Sequence, residues 1–86
     1  MGTYIGQIEG PFIKNKDISF PNGIGTIFKL GITCVPGHIV SINGEDIEIG
    51  ITGLLELEGL RITSIKFRQD EDLNTFIDYM ASPSGI

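Results

Sequence analysis

The sequence predicts an all-β domain, a small β-sandwich of jelly-roll type with about seven short strands and an irregular N-terminal arm. Three observations carry that expectation. Sixteen of the 86 residues are Ile and only Ala81 is Ala, the reverse of a helix-rich composition, because Ile is stiff at χ1 and suits a pleated surface. From Gly31 onward, glycines at 31, 37, 44, 50, 53 and 59 come too often for helices of ordinary length. Asn43-Gly44 lies between apolar alternations, and that dipeptide is the strongest short-range hairpin signal because both positions accept φ > 0.

Taken in order, residues 1–25 read as the arm or an edge segment. Gly10-Pro11 and Phe20-Pro21 break it, and proline removes a ladder donor that a central strand needs. The sandwich is assigned to residues 26–82 and a tail to 83–86. Within the sandwich, Thr26 to Leu30 and Gly31 to Val35 are expected as two strands meeting at Gly31. Pro36-Gly37 suits a type II turn, in which Pro sets φ at the second position and Gly accepts positive φ at the third. His38 to Ile42 and Glu45 to Ile49 form the arms of the hairpin. Ile47 and Ile49 face one way there and Asp46 and Glu48 the other, giving a strand with one wet face.

A strand Leu54 to Leu57 closes at Glu58-Gly59, and another covers Ile62 to Phe67. Residues 70–81 carry two patterns. Leu73, Phe76, Ile77 and Met80 fit an amphipathic helix capped by Asp70 or Asp72, whereas Thr75 to Tyr79 is a β-rich five-mer. We favour the strand, paired with Ile62 to Phe67 across the intervening loop.

Composition narrows the function. Eleven acidic against six basic residues give a net charge of −5. The scattered cations provide no field for phosphates, so nucleic-acid binding is not expected. No apolar run approaches the roughly 20 residues of a membrane span, and Met1 to Tyr4 does not open a secretory signal, so we expect no membrane insertion and synthesis in a cytoplasm. A single Cys forms no internal disulfide.

Catalytic and metal chemistry find little support. Cys34 and His38 flank the Pro-Gly turn and come within reach of each other, but a free Cys ordinarily behaves as a small hydrophobe. The expectation is a buried Cys34 and an exposed turn His38. One Cys and one His cannot close a zinc site without carboxylates. Asp70, Asp72 and Asn74 alternate like an acidic calcium loop, but Thr75 and Ala81 occupy the positions where an EF-hand needs Gly and Glu, so a solvated loop is expected. Asn22-Gly23-Ile24-Gly25 lacks the third Gly and the helix of a dinucleotide site. With no Trp and two Tyr, platforms for a glycan ligand are few. No enzyme activity, cofactor or metal is therefore expected.

Phe28 to Ile32, Pro36-Gly37, Ile42-Asn43-Gly44, Ile47 to Gly50, Thr52 to Leu57, Ile62 to Phe67 and Ile77 to Tyr79 stand in an order that resembles small virion-associated proteins of phages and prophages of low-GC Gram-positive bacteria. The resemblance covers roughly residues 20–80. It implies a structural or accessory subunit of the particle, in the tail, baseplate or tail tip rather than the capsid, made in the host cytoplasm and partnered by other virion proteins and by copies of itself. It carries no catalytic residues. A domain this short hides only about 60 to 65% of its unfolded surface, which favours assembly, and the arm residues Phe12, Ile13, Ile18 and Phe20 are the expected subunit contacts. A small carbohydrate-binding or adhesion module is the alternative, to be recognised by an exposed aromatic pair beside carboxylates in a groove.

Overall fold

The computed structural model describes residues 3–21 and 24–83. It is all-β. The strands are β1 (Tyr4–Glu9), β2 (Ile24–Thr33), β3 (Ile39–Ile42), β4 (Glu45–Glu48), β5 (Leu54–Ile62), β6 (Ile65–Phe67) and β7 (Phe76–Pro83). They form an antiparallel four-stranded sheet, β1-β7-β2-β5, and an antiparallel three-stranded sheet, β4-β3-β6. Among the described residues no helix is long and apolar enough to cross a membrane.

The period of two along each strand divides every residue between core and surface. In the large sheet, the row Gly6, Tyr79, Leu30 and Leu57 and the row Ile8, Ile77, Ile32 and Leu55 face inward. Val40 and Ile42 of β3 and Ile65 and Phe67 of β6 answer them from the small sheet. Together with Ile27, Cys34, Ile49 and Ala81 they make one core, in which Ile32, Val40, Ile65, Phe67 and Ile77 are fully buried. Gly6 has a reason to lack a side chain, since a Cβ there would overlap the ring of Tyr79.

Among the described residues there are seven strands, but they are not the seven expected. Gly31 does not divide β2, which runs from Ile24 to Thr33 with Gly31 paired to Asp78 on one side and Glu56 on the other. Gly59 does not end β5. It takes φ +76° inside the strand, where the five residues from Glu58 to Ile62 lie opposite the three from Lys29 to Ile27. That is a bulge, the other common use of a strand glycine. The missing seventh strand is β1, in the segment assigned to the arm.

The Asn43-Gly44 hairpin forms as expected, with φ 53° and 86°. The Asn43 side chain also ties two other strands together. Its Oδ1 accepts the backbone N–H of Thr63 at 2.7 Å and of Ser64 at 3.2 Å, and its Nδ2 donates to the carbonyl of Arg61 at 2.8 Å. This bracket fixes the step at Thr63-Ser64 where the chain leaves β5 and starts β6, so Ile62 to Phe67 is not one strand. Residues 76–83 are a strand, and the helical pattern is not used: Leu73, one of its four apolar residues, is 69% exposed. The expected pairing of this strand with Ile62 to Phe67 is incorrect. β7 lies between β1 and β2, while β6 pairs with β3 in the other sheet. Of the expected tail, Pro83 ends β7 and residues 84–86 lie outside the described residues.

The chain from Gly10 to Phe20 folds back over this body. Phe12 and Glu71 exchange two backbone hydrogen bonds of 2.9 Å, the Asn15 N–H donates to the Phe67 carbonyl at 2.7 Å and the Ile18 N–H donates to the Ile65 carbonyl at 2.9 Å. The outer edge of β6 is thereby covered by the protein itself.

Candidate functional site

Two regions stand apart from the uniform core. The first lies where β2 ends. The carbonyl of Val35 accepts the His38 N–H at 3.1 Å, and Gly37 has φ +89°, which is the type II turn expected at Pro36-Gly37. The turn returns the chain so that His38 Nδ1 lies 3.9 Å from Cys34 Sγ. The β6–β7 loop then brings in a residue that no sequence pattern singled out: Glu71 Oε2 is 2.8 Å from the same His38 Nδ1. Cys34 and Glu71 are 6% and 4% exposed, and the His38 side chain is 34% exposed. Cys34 is thus buried as expected, but His38 is half-buried and tied to a carboxylate, not an exposed turn residue.

Glu71 is held from three sides. Gln69 Nε2 donates to Oε2 at 2.7 Å, Thr75 Oγ1 donates to Oε1 at 3.1 Å, and His38 takes the third contact. Gln69 is itself fixed, its amide accepting from the N–H of Ile39 and donating to its carbonyl, both at 2.9 Å. Among the described residues, Glu71 is the only buried Asp, Glu, Lys or Arg. A buried carboxylate costs several kcal/mol unless its charge is met, and no side chain with a fixed positive charge is among these partners.

The arrangement lacks the layout of a thiol nucleophile. A relay needs the nucleophile on one imidazole nitrogen and the orienting acid on the other; here both address Nδ1. Burial, then the charge and hydrogen bonding of Glu71, push the Cys34 thiol up to about 11, away from the thiolate that nucleophilic chemistry requires. Three donor atoms gathered within 4.8 Å of one another are what remains. The neighbouring Asp70, Asp72 and Asn74 serve turn chemistry: Asp70 Oδ1 accepts the Lys14 N–H and Asp72 Oδ1 accepts the Asn74 N–H, both at 2.9 Å. Glu71, between the exposed Asp70 and Asp72, points inward.

The second region is the outer face of the four-stranded sheet. Ile5, Met80 and Lys29 form one cross-strand row, and Asp78, Gly31 and Glu56 the next. Nothing lies within 4 Å of the position a Gly31 Cβ would take, so the sheet dips there into an open groove of about 380 Å³, rimmed by Ile5, Leu54 and Met80. Ile5 is 77% exposed and Leu54 46%. Ile5 also sits on β1, an edge strand.

Of the expected contact residues, Phe12, Ile18 and Phe20 lie against this chain's own core: Phe12 meets Phe67 with ring centroids 5.0 Å apart, and Phe20 meets Tyr79 edge-on at 5.2 Å. Ile13 alone of the four points out, 62% exposed. The aromatic pair that would mark a glycan groove is not formed by the tyrosines, since Tyr79 is turned into the core under Gly6. Comparison with protein-family models, curated proteins and solved structures finds no match to this chain.

Proposed function

We propose that the chain is a non-enzymatic structural subunit that assembles with copies of itself through the β1 edge and the outer face of the four-stranded sheet. The carrying observation is that an open strand edge and an apolar face meet at Ile5. Edge strands present unpaired backbone donors and acceptors and invite strand addition unless blunted by charge, proline or a covering segment. The protein covers the edge of β6 with its own residues 15–18, and among the described residues none covers β1 in that way. Lys29 stands in the groove beside Glu56 and Asp78, so the face carries both signs of charge, from which an isologous pairing can draw ion pairs as well as apolar contacts. The converging of Cys34 and Glu71 on one imidazole nitrogen supports the non-enzymatic part of the reading. The order of turns and strands over residues 20–80 supports a phage or phage-like particle as the setting, with the tail or tail tip ahead of the capsid.

Sedimentation equilibrium of the full chain from about 1 to 200 µM tests the assembly, a span that brackets the micromolar affinities of modest interfaces. Association that Ile5→Lys weakens at least tenfold is expected. A monomer throughout that range contradicts the proposal. Detection of the chain in purified particles by mass spectrometry tests the setting.

A further inference from the structure

We propose that Cys34, His38 and Glu71 form a binding site for a divalent transition metal of the Zn²⁺ or Co²⁺ type, with the fourth position open to solvent beside His38. Three features of the geometry carry it. The donor atoms are a sulfur, an imidazole nitrogen and a carboxylate oxygen, the set that zinc takes and that magnesium and calcium do not. They converge on one volume and all lie within 4.8 Å of one another. Tetrahedral coordination at the usual bond lengths would place S and N about 3.6 Å apart and N and O about 3.4 Å apart, against 3.9 Å and 2.8 Å in the structure. These two separations need shifts of about 0.3 and about 0.6 Å, and the sulfur and the carboxylate oxygen, no more than 4.8 Å apart, have to close to about 3.6 Å by side-chain rotation to complete the site.

The surroundings match what holds a metal ligand. Gln69 and Thr75 donate to the two oxygens of Glu71, in the manner of outer partners that fix a ligating carboxylate. The only buried acidic side chain among the described residues sits at the centre, and a dication would meet its charge. The three ligands come from the end of β2, the turn after it and the β6–β7 loop. The ion therefore joins segments 37 residues apart in sequence, counted from Cys34 to Glu71. On binding, the thiol gives its proton to solvent and the sulfur bonds the metal; the imidazole presents the Nδ1 lone pair and carries its proton on Nε2. One proton is released per ion when the ring starts neutral.

Titration of the metal-free full chain with Co²⁺ at pH 7.5 tests the site. The expected result is one ion per chain, with a sulfur-to-cobalt charge-transfer band, the intense visible bands of four-coordinate cobalt and displacement of both by Zn²⁺. Cys34→Ser should abolish the charge-transfer band, and His38→Gln should weaken binding at least about 100-fold, more than loss of an outer partner does. His38→Gln changes a half-exposed side chain, and circular dichroism checks its fold. Absence of the cobalt bands at a one-to-one ratio in the wild-type chain overturns the proposal without recourse to any variant. So does a charge-transfer band that survives in folded Cys34→Ser.

Discussion

The two distinctive regions of this protein handle unsatisfied surface in opposite ways. Around Glu71, polar groups are buried and every one finds a partner: no buried side-chain nitrogen or oxygen among the described residues lacks a hydrogen bond. On the outer face of the four-stranded sheet, apolar groups are exposed, and β1 is an edge strand with no further pairing among the described residues. A buried polar cluster acts inward, since disturbing it leaves donors without acceptors inside the fold. An exposed apolar face acts outward, because covering it gains energy only when something else arrives. Side-chain substitutions in the first region should therefore move stability and leave assembly alone, and substitutions at the exposed positions of the second should do the reverse.

Deleting residues 1–20 should do the most damage. This removes β1, the hydrogen bonds to Ile65, Phe67 and Glu71, and the apolar side chains of Phe12, Ile18 and Phe20. The remaining chain should show no cooperative thermal transition; an unchanged melting temperature would mean that the segment is not part of the fold. Next comes Glu71→Ala, expected to lower stability by about 3 kcal/mol in urea denaturation, because Gln69, Thr75 and His38 lose their shared partner at a buried site. Sedimentation of the same variant should match the wild type under conditions where it is folded.

A third effect depends on pH. The Cys34 thiol stands at about 11 against an ordinary value of 9.0. The folded state thus holds this proton more tightly than the unfolded state. The contribution is fully present below about pH 9 and is lost as pH rises toward 11, on the order of 2 kcal/mol. Subtracting the stability profile of Cys34→Ala isolates it from other titrations in that window. A flat difference from pH 8 to 11.5 would place the thiol in water instead of against Glu71.

Much of this contrast was legible in the chain, and the part that was not has a physical cause. Asn43-Gly44 and Pro36-Gly37 specify their turns through residues adjacent in sequence, and both turns form where expected. Ile47 reports its face by period. The glycines mislead where tertiary context reverses their meaning: Gly31 pairs on both sides within β2, and Gly59 makes a bulge. β1 was missed because Gly6 and the exposed Ile5 blur its alternation, and its inward row is completed only by Tyr79 more than 70 residues away. Two of the three residues of the candidate site, Cys34 and His38, follow from a four-residue spacing across a turn. Glu71 joins them through the bridge to Phe12 and the contacts of Gln69 and Thr75, which no local pattern encodes.

Ile5 stands at the other end of the scale of stability. Ile5→Lys exchanges one exposed side chain for another and should change the free energy of unfolding by less than about 0.5 kcal/mol. The same substitution decides whether the outer face and the β1 edge drive assembly, when wild-type and variant chains are sedimented side by side. Assembly through this face requires a self-associating wild type and a variant that is monomeric at the same concentration and equally stable. A wild type that stays monomeric at about 200 µM, or a variant that associates as tightly as its parent, would contradict it.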